Sequence, residues 1–327
     1  MADRYNDQKR IAILYEHPEW FKPLFAEFDR RDIPYELWEA HRHSYDPRVR
    51  ILPYLLVINR MSPSSYLREH GNGIFYTRQL LAYLKDIKVP VINPYEAFVV
   101  ETSKALQIEI FEQLGVRYPR TRVINHASLA PEAAAGFDFP VIVKPNIGGS
   151  GAKIQKFNSC EELERAATAS SIDLGYDSTA LLQEFLPATD GAIVRVEVLG
   201  GEFLYAIRIF TDQNGNFNLC PADICQENQP AAEPQDFSRC LASDKRRLHI
   251  EALRPPRHAI DAAIRIAHEA RLDVGGIEYL VSERDGEVYF YDVNALSNFV
   301  TDAPSIVGFD PYERFVDFVL QRALQTA

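Results

Sequence analysis

The chain has 327 residues, 46% of them apolar and 25% charged, and a net charge of -11 at neutral pH. This is the composition of an ordinary globular protein, and no apolar run approaches the ~20 residues that a spanning helix needs, so no membrane partner is expected. The acidic balance argues against nonspecific nucleic-acid binding, while leaving room for a local basic cleft.

The length exceeds what one simple core accommodates, so two or three lobes are expected, each with its own apolar interior and with clefts between them. The start, "MADRYNDQKRIAILYEHPEW", is polar before its first apolar stretch and lacks the long apolar segment of a secretory signal, which places the protein in the cytoplasm. Cys160, Cys220, Cys225 and Cys240 form no CxxC pair and no zinc-like spacing, so they read as reduced, free thiols.

In chain order, periodicity predicts a strand from Ile11 to Tyr15, a helix from about Trp20 to Arg31 and a strand at Tyr35 to Trp38. Strand-like "YLLVIN", helical "YTRQLLAYLKDI" and a short strand at Val89 to Asn93 follow, giving an α/β lobe over residues 1–98. A helix from Ser103 to Leu114 ends at Gly115, a fitting C-cap, and Pro119 opens an extended piece through Ile124. "PVIVK" and "AKIQKF" read as strands flanking a glycine loop, "CEELERAATAS" as a helix and "ALLQEF" as a strand, so residues 99–186 form a mixed α+β lobe.

A third lobe over 187–327 opens with "AIVRVEVLGGEFLYAIRIF", a hairpin whose turn is Gly200 and Gly201. The polar stretch from Thr211 to Pro256 has little periodicity, although its apolar knot "FNLCPADIC" argues against full disorder. A helix from about His258 to Arg271, the hairpin "GGIEYLVSERDGEVYFYDVN" and the helix "DPYERFVDFVL" complete the chain, without internal repeats.

The last hairpin holds the sharpest chemistry. With "RDG" as a three-residue loop and Gly286 left-handed, Glu283 pairs with Glu287, which puts Glu278 opposite Asp292 and Asn294 on the same face. Opposed carboxylates repel unless a divalent cation sits between them, and an all-oxygen set suits magnesium. A register differing by one would instead turn Glu278 to water and leave Asn294 merely starting a turn. Lys144 ends a strand just before Gly148, Gly149 and Gly151, so a point charge and a pliable backbone could meet a phosphate together. The pattern is neither GxxxxGK[ST] nor GxGxxG, and a glycine hairpin after a solvated lysine is the plain alternative.

Taken as an ordered set, Lys104 in a helix, "VIVKP" with its glycine loop, "LLQEFL", "VRVEVLGGE", Glu278 and "DVN" resemble the ATP-grasp superfamily, especially its glutathione-synthetase-like and glutamate-adding ligases. The resemblance runs from about residue 95 to the C-terminus and implies a three-lobed ATP-grasp fold, α/β and α+β, behind an N-terminal pre-ATP-grasp domain. It further implies that Lys104 and Lys144 bind ATP phosphates under a loop of Gly149, Ser150 and Gly151. Gln183, Glu184, Phe185 and Leu186 would form the adenine hinge, Asp190 would meet the ribose, and Arg195 with Arg208 would neutralise the transferring phosphate. Glu278, Asp292 and Asn294 match the family's magnesium ligands. Two positions depart from the pattern: Asp292 stands in D-x-N where the ligases carry E-x-N, a form similar to inositol phosphate kinases, and Ile193 stands where those ligases often have an acid.

The implied reaction joins a carboxylate to an amine through an acyl phosphate, using ATP and Mg2+, on small molecules such as amino acids or a peptide; formation of a homo-oligomer is left open. The absence of a convincing nucleophile triad suits a reaction run by positioning and charge. First-lobe strand ends and the long loop nominate substrate contacts: His17, Asn59, Arg60, Asp223 and Asn298. The competing readings are a small-molecule kinase acting on an alcohol and a noncatalytic nucleotide-binding protein.

Overall fold

The computed structural model describes residues 10–149, 151–211, 217, 219–221 and 248–325. Ser150, Asp223, Cys225, Cys240 and most of the long polar stretch lie outside these residues, so the roles anticipated for Ser150 and Asp223 rest on sequence.

Three sheets organise the described residues. The first is wholly parallel, in the order β2-β1-β3-β4, from β1 (Arg10–Tyr15), β2 (Tyr35–Glu39), β3 (Tyr54–Arg60) and β4 (Val91–Ile92). The central strands β1 and β3 are near-continuous apolar runs because both faces are covered, whereas the edge strand β2 buries only Trp38. Ile11, Ile13 and Ile58 pack on one side with α1 (Lys22–Arg30), while Ala12, Leu14 and Val57 pack on the other against α2 (Asn72–Asp86). The predicted helix from Trp20 is divided: Pro18–Phe21 forms a 3-10 turn before α1 begins.

Two helices then meet almost end to end, α3 (Tyr95–Glu101) and α4 (Lys104–Gln113). Sequence reading missed α3, because seven residues rich in Val and Phe carry no full helical period; it runs through the position where that reading ends the first lobe. Ser103 separates the pair by accepting a hydrogen bond from Leu106 N at 3.3 Å, an N-cap that stabilises α4 by about 1 kcal/mol.

The second sheet is antiparallel, β5-β8-β6-β7, from β5 (Thr121–Ile124), β6 (Val141–Pro145), β7 (Gln155–Phe157) and β8 (Ala180–Glu184). It buries Val141, Val143 and Leu182 beneath α5 (Ala130–Ala133) and α6 (Cys160–Thr168). The third sheet, β11-β10-β9-β12-β13, comprises β9 (Ala188–Leu199), β10 (Glu202–Phe210), β11 (Ile250–Ala252), β12 (Val274–Ser282) and β13 (Val288–Asn294). One face, Val194, Val196, Ile277 and Tyr279, packs on α7 (Arg257–Glu269) and on Phe111 of α4.

The other face belongs to a core that crosses lobes. Ile193, Ile207 and Val274 of the third sheet cluster with Ile11, Ile13 and Phe28 of the first lobe and with Phe315 and Val319 of α9 (Pro311–Leu324), which follows the short α8 (Ala303–Val307). The first and third lobes therefore share this core in addition to the interior each has on its opposite face. The shared core fixes the first lobe against the sheet that carries the polar residues described next. Among the described residues no helix is long and apolar enough to cross a membrane.

Candidate active site

A cavity of about 300 Å³ opens between the second and third sheets, with Trp20, Ser62, Pro63 and Ser64 of the first lobe closing one side. Its floor is the β12–β13 hairpin. Near the turn Ser282 N donates to Glu287 O, so the loop has four residues, one more than the sequence reading assumed. A β-bulge then restores the count: Tyr279 pairs with Phe290 but Glu278 pairs with Asp292, leaving Tyr291 as the extra residue. The bulge turns both Tyr291 and Asp292 toward the cavity, where Glu278 and Asn294 already point.

Each carboxylate has its own cation. Arg195 Nη1 donates to Glu278 Oε1 at 2.8 Å, and Lys104 Nζ, carried in by the first turn of α4, donates to Asp292 Oδ1. The expected repulsion across the hairpin is thus relieved by protein charges, and a metal is not needed to explain the pairing. Burial pushes the Glu278 carboxyl up, helped by Asp292 and opposed by Arg195. For Lys104, burial works against the ammonium but Asp292 outweighs it, and its pKa rises. Among the described residues no group of three or more His, Cys, Asp or Glu is arranged to hold a metal ion. The converging set is instead two carboxylates and the Asn294 amide, an oxygen-only set that fits a hard divalent cation.

Lys144 is not the solvated lysine of the plain alternative. It is 4% exposed, its Nζ donates to the Tyr291 carbonyl at 3.2 Å, and burial together with neighbouring Lys104 pulls its pKa down to about 7. The following loop presses on the first lobe: a Cβ on Gly149 would stand 3.4 Å from the Ser64 Cβ. Gly151, at φ +66°, has no room for a side chain because its Cβ would run into the Phe217 carbonyl.

At the far end, Gln183, Glu184, Phe185 and Leu186 line the cavity. The Glu184 carboxylate is engaged within the protein, accepting from Arg120 N at 2.8 Å and from Arg284 Nη1 at 2.9 Å. Gln183 Nε2 donates to Thr121 Oγ1 at 2.7 Å. Lys156 sits 3.8 Å over the Phe185 ring.

Arg195 occupies the centre. Its Nε donates to Glu197 Oε1 at 2.6 Å, and Glu197 is fully buried. The guanidinium lies against the backbone of Gly276, where a Cβ would stand 2.5 Å from Cζ. Gly276→Ala is therefore expected to push Arg195 out of its plane and to cost about 1–3 kcal/mol by overpacking. Chemical denaturation together with a structure of the variant checks this; an unchanged midpoint with Arg195 in place would contradict it.

Several nominated residues fall elsewhere. Arg208 pairs with Val194, whereas Arg195 pairs with Ile207, so the two arginines point to opposite faces. A second bulge, between Phe203 and Tyr205, causes this; without it, a two-residue Gly200–Gly201 turn would have set Arg208 on the Arg195 face. Asp190 is exposed, with φ +58°, and is not among the cavity-lining residues. His17, Asn59 and Arg60 also stand behind the wall rather than in it. His17 stacks on Trp20 with centroids 4.9 Å apart, Asn59 Oδ1 accepts from Met61 N at 3.1 Å, and Arg60 is 1% exposed. Only Asn298, of the described substrate candidates, lines the cavity.

Sequence reading passed over Trp20 and Ser64 in the wall, and Glu101, whose carboxyl accepts from Ala295 N and is pushed up to about 7, chiefly by burial. The one available signal for Glu101 was an acid closing the apolar run "AFVVE" three residues before Lys104.

Residues 101–222 match the RimK-like ATP-grasp domain family. A D-alanine--D-alanine ligase of Geobacter sulfurreducens is 26% identical over 206 residues, covering 61% of this chain and 56% of that protein. The chain thus spans about half the length of this curated relative. Among solved structures, the D-alanine--D-alanine ligase from Bacillus anthracis superposes with a TM-score of 0.65 at 15% identity, covering 97% of this chain and 98% of the other. The ATP-grasp ligase PsnB, complexed with a phosphomimetic variant of its minimal precursor, Mg and ADP, superposes with a TM-score of 0.66 at 17% identity, covering 97% and 100%.

Proposed function

We propose that this chain, an ATP-grasp fold carrying a RimK-like ATP-grasp domain, is an ATP-dependent carboxylate–amine ligase acting on small amino-acid or peptide substrates. The observation that carries this reading is the convergence in one cavity of Lys104, Lys144 and Arg195 with Glu278, Asp292 and Asn294. The ligases among its relatives support the same reaction class.

In this reading a substrate carboxylate oxygen attacks the γ-phosphorus of ATP, the bond to the bridging oxygen breaks, and ADP departs with the electron pair. An amine then forms a bond to the acyl carbon, the carbon–oxygen bond breaks, and inorganic phosphate leaves while the amine proton passes to solvent. Glu278, Asp292 and Asn294 would hold magnesium, which would supply neutralisation of phosphate charge. Lys104 and Lys144 bind phosphate oxygens, and Arg195 offers its remaining N–H groups to the transferring phosphoryl group. Gly149 and Gly151 let the backbone close over it and exclude water, while residues 183–186 form the slot for the base. The first-lobe wall of Trp20, Ser62, Pro63 and Ser64 brings no cation to the cavity among the described residues, which favours an uncharged or singly charged acceptor over the phosphate-rich acceptor of a kinase.

The buried Lys144 gives a pH dependence whose sign is fixed. With a pKa of about 7 in the free chain, it is largely neutral at pH 8, whereas a bound polyphosphate favours the ammonium. Nucleotide binding at pH 8 is then accompanied by proton uptake, and affinity falls as pH rises above about 7, by at most ~10-fold per unit. Calorimetric titration of Mg-AMP-PNP in two buffers of different ionisation enthalpy measures the uptake, and its absence at pH 8 would contradict the assignment.

The reaction class is tested by ADP release from Mg-ATP with pooled amino acids and dipeptides, with hydroxylamine as the amine. Hydroxamate formation that requires both ATP and a carboxylate is the expected result. ADP release accompanied by a phosphorylated alcohol and no hydroxamate would replace the ligase with a kinase.

A further inference from the structure

Arg195 already has Glu278 as a counter-charge, yet a second carboxylate, Glu197, is buried to 0% exposure beside it. Burying an extra anion costs several kcal/mol unless it gains good hydrogen bonds, and near a polyphosphate it also repels the ligand. Arg60 is a second buried cation whose charge Glu197 favours, but its guanidinium donates to the Ser297 carbonyl, so charge balance alone does not explain where this carboxylate sits.

The geometry does. Glu197 Oε1 accepts from Arg195 Nε at 2.6 Å and from Ser297 Oγ at 2.8 Å, and the same hydroxyl oxygen accepts from Arg195 Nη2 at 3.3 Å. The three side chains close a ring of hydrogen bonds that fixes the guanidinium plane, with the Gly276 backbone against it. Ser297 is itself anchored from the first lobe, because Arg60 Nη2, at the end of β3, donates to the Ser297 carbonyl. Arg60 is held between Phe21 and Phe315, with its Cζ 5.3 and 5.5 Å from their ring centroids.

We infer that Glu197 and Ser297 are positioning residues that hold the Arg195 guanidinium in the plane from which it meets the third phosphate, with Arg60 tying that ring to the first lobe. The inference rests on the phosphate role proposed above for Arg195.

The test compares dissociation constants of Mg-ADP and Mg-AMP-PNP, whose ratio isolates the contact with the third phosphate. Glu197→Gln is expected to lower the preference for AMP-PNP about tenfold, and Ser297→Ala about threefold, while Mg-ADP affinity stays within about twofold of wild type. Simple removal of a negative charge predicts the opposite for Glu197→Gln, a stronger preference for AMP-PNP. That result, or unchanged ratios in both variants, would overturn the inference. If Glu197→Gln does not fold, Ser297→Ala decides alone. Arg195→Ala separates the two levels: a retained ratio sinks the phosphate role of Arg195, whereas a ratio lost in Arg195→Ala but kept in Glu197→Gln and Ser297→Ala sinks the positioning role only.

Discussion

Asp292→Asn is expected to reduce magnesium-dependent turnover by roughly a hundredfold or more, since losing one charged metal ligand removes several kcal/mol of charge stabilisation. Asn294 and Glu278 would be left as an amide and a single carboxylate, a weaker set for a hard cation. The substitution also strips Lys104 of its partner. Their side chains are 12% and 18% exposed, so the pair is neither deeply buried nor free in solvent, and its loss is expected to cost about 1–2 kcal/mol. The stability loss is thus modest while the activity loss is large, and raising the magnesium concentration should recover part of the latter. Turnover measured against magnesium, alongside urea denaturation, checks both. Full activity at ordinary magnesium would remove Asp292 from the site.

Arg195→Ala is expected to be the most damaging substitution to the fold among the cavity residues. It leaves the Glu197 and Glu278 carboxylates buried with no cation between them, and breaking a buried pair in this way costs about 3–5 kcal/mol. Arg195→Lys should rescue little, because an ammonium is a point charge and cannot reach Glu197, Glu278 and Ser297 at once from one plane. Chemical denaturation checks the ordering, with both variants well below wild type. An Arg195→Lys chain of wild-type stability would mean that the fork geometry is not what the three partners require.

The two hairpins of the third sheet show how far the sequence could be read, and why no further. Alternation named the strands, and Glu278 opposite Asp292 was reached by assuming a three-residue turn. The turn has four residues, and a bulge at Tyr291 compensates, so the pairing held for a reason the strand pattern does not carry. In the β9–β10 hairpin the same kind of irregularity acted the other way, and the bulge at Leu204 turned Arg208 to the face of Val194. A single extra residue reverses which face a side chain takes, and bulges leave no trace in hydrophobic periodicity.

Lys144 and the glycines were legible because a charged residue closing an apolar strand before a glycine cluster is unusual. Its depth was not, since the burial that pulls its pKa down comes from elements distant in sequence. Arg60 illustrates the converse: its position after a strand pointed to the cavity, but the core shared between the first lobe and α9 encloses it.

The most direct test of the acyl-phosphate account follows oxygen. Wild-type protein is incubated with Mg-ATP, an amine pool and amino acids or dipeptides carrying 18O in their carboxylates, and the released phosphate is analysed by mass. Attack by a carboxylate on the γ-phosphorus moves one labelled oxygen into each phosphate released with product, and this is the predicted result. Unlabelled phosphate alongside ADP would show that the γ-phosphoryl group goes to water, and ADP without free phosphate would show that it stays on a hydroxyl group; either would contradict the ligase assignment.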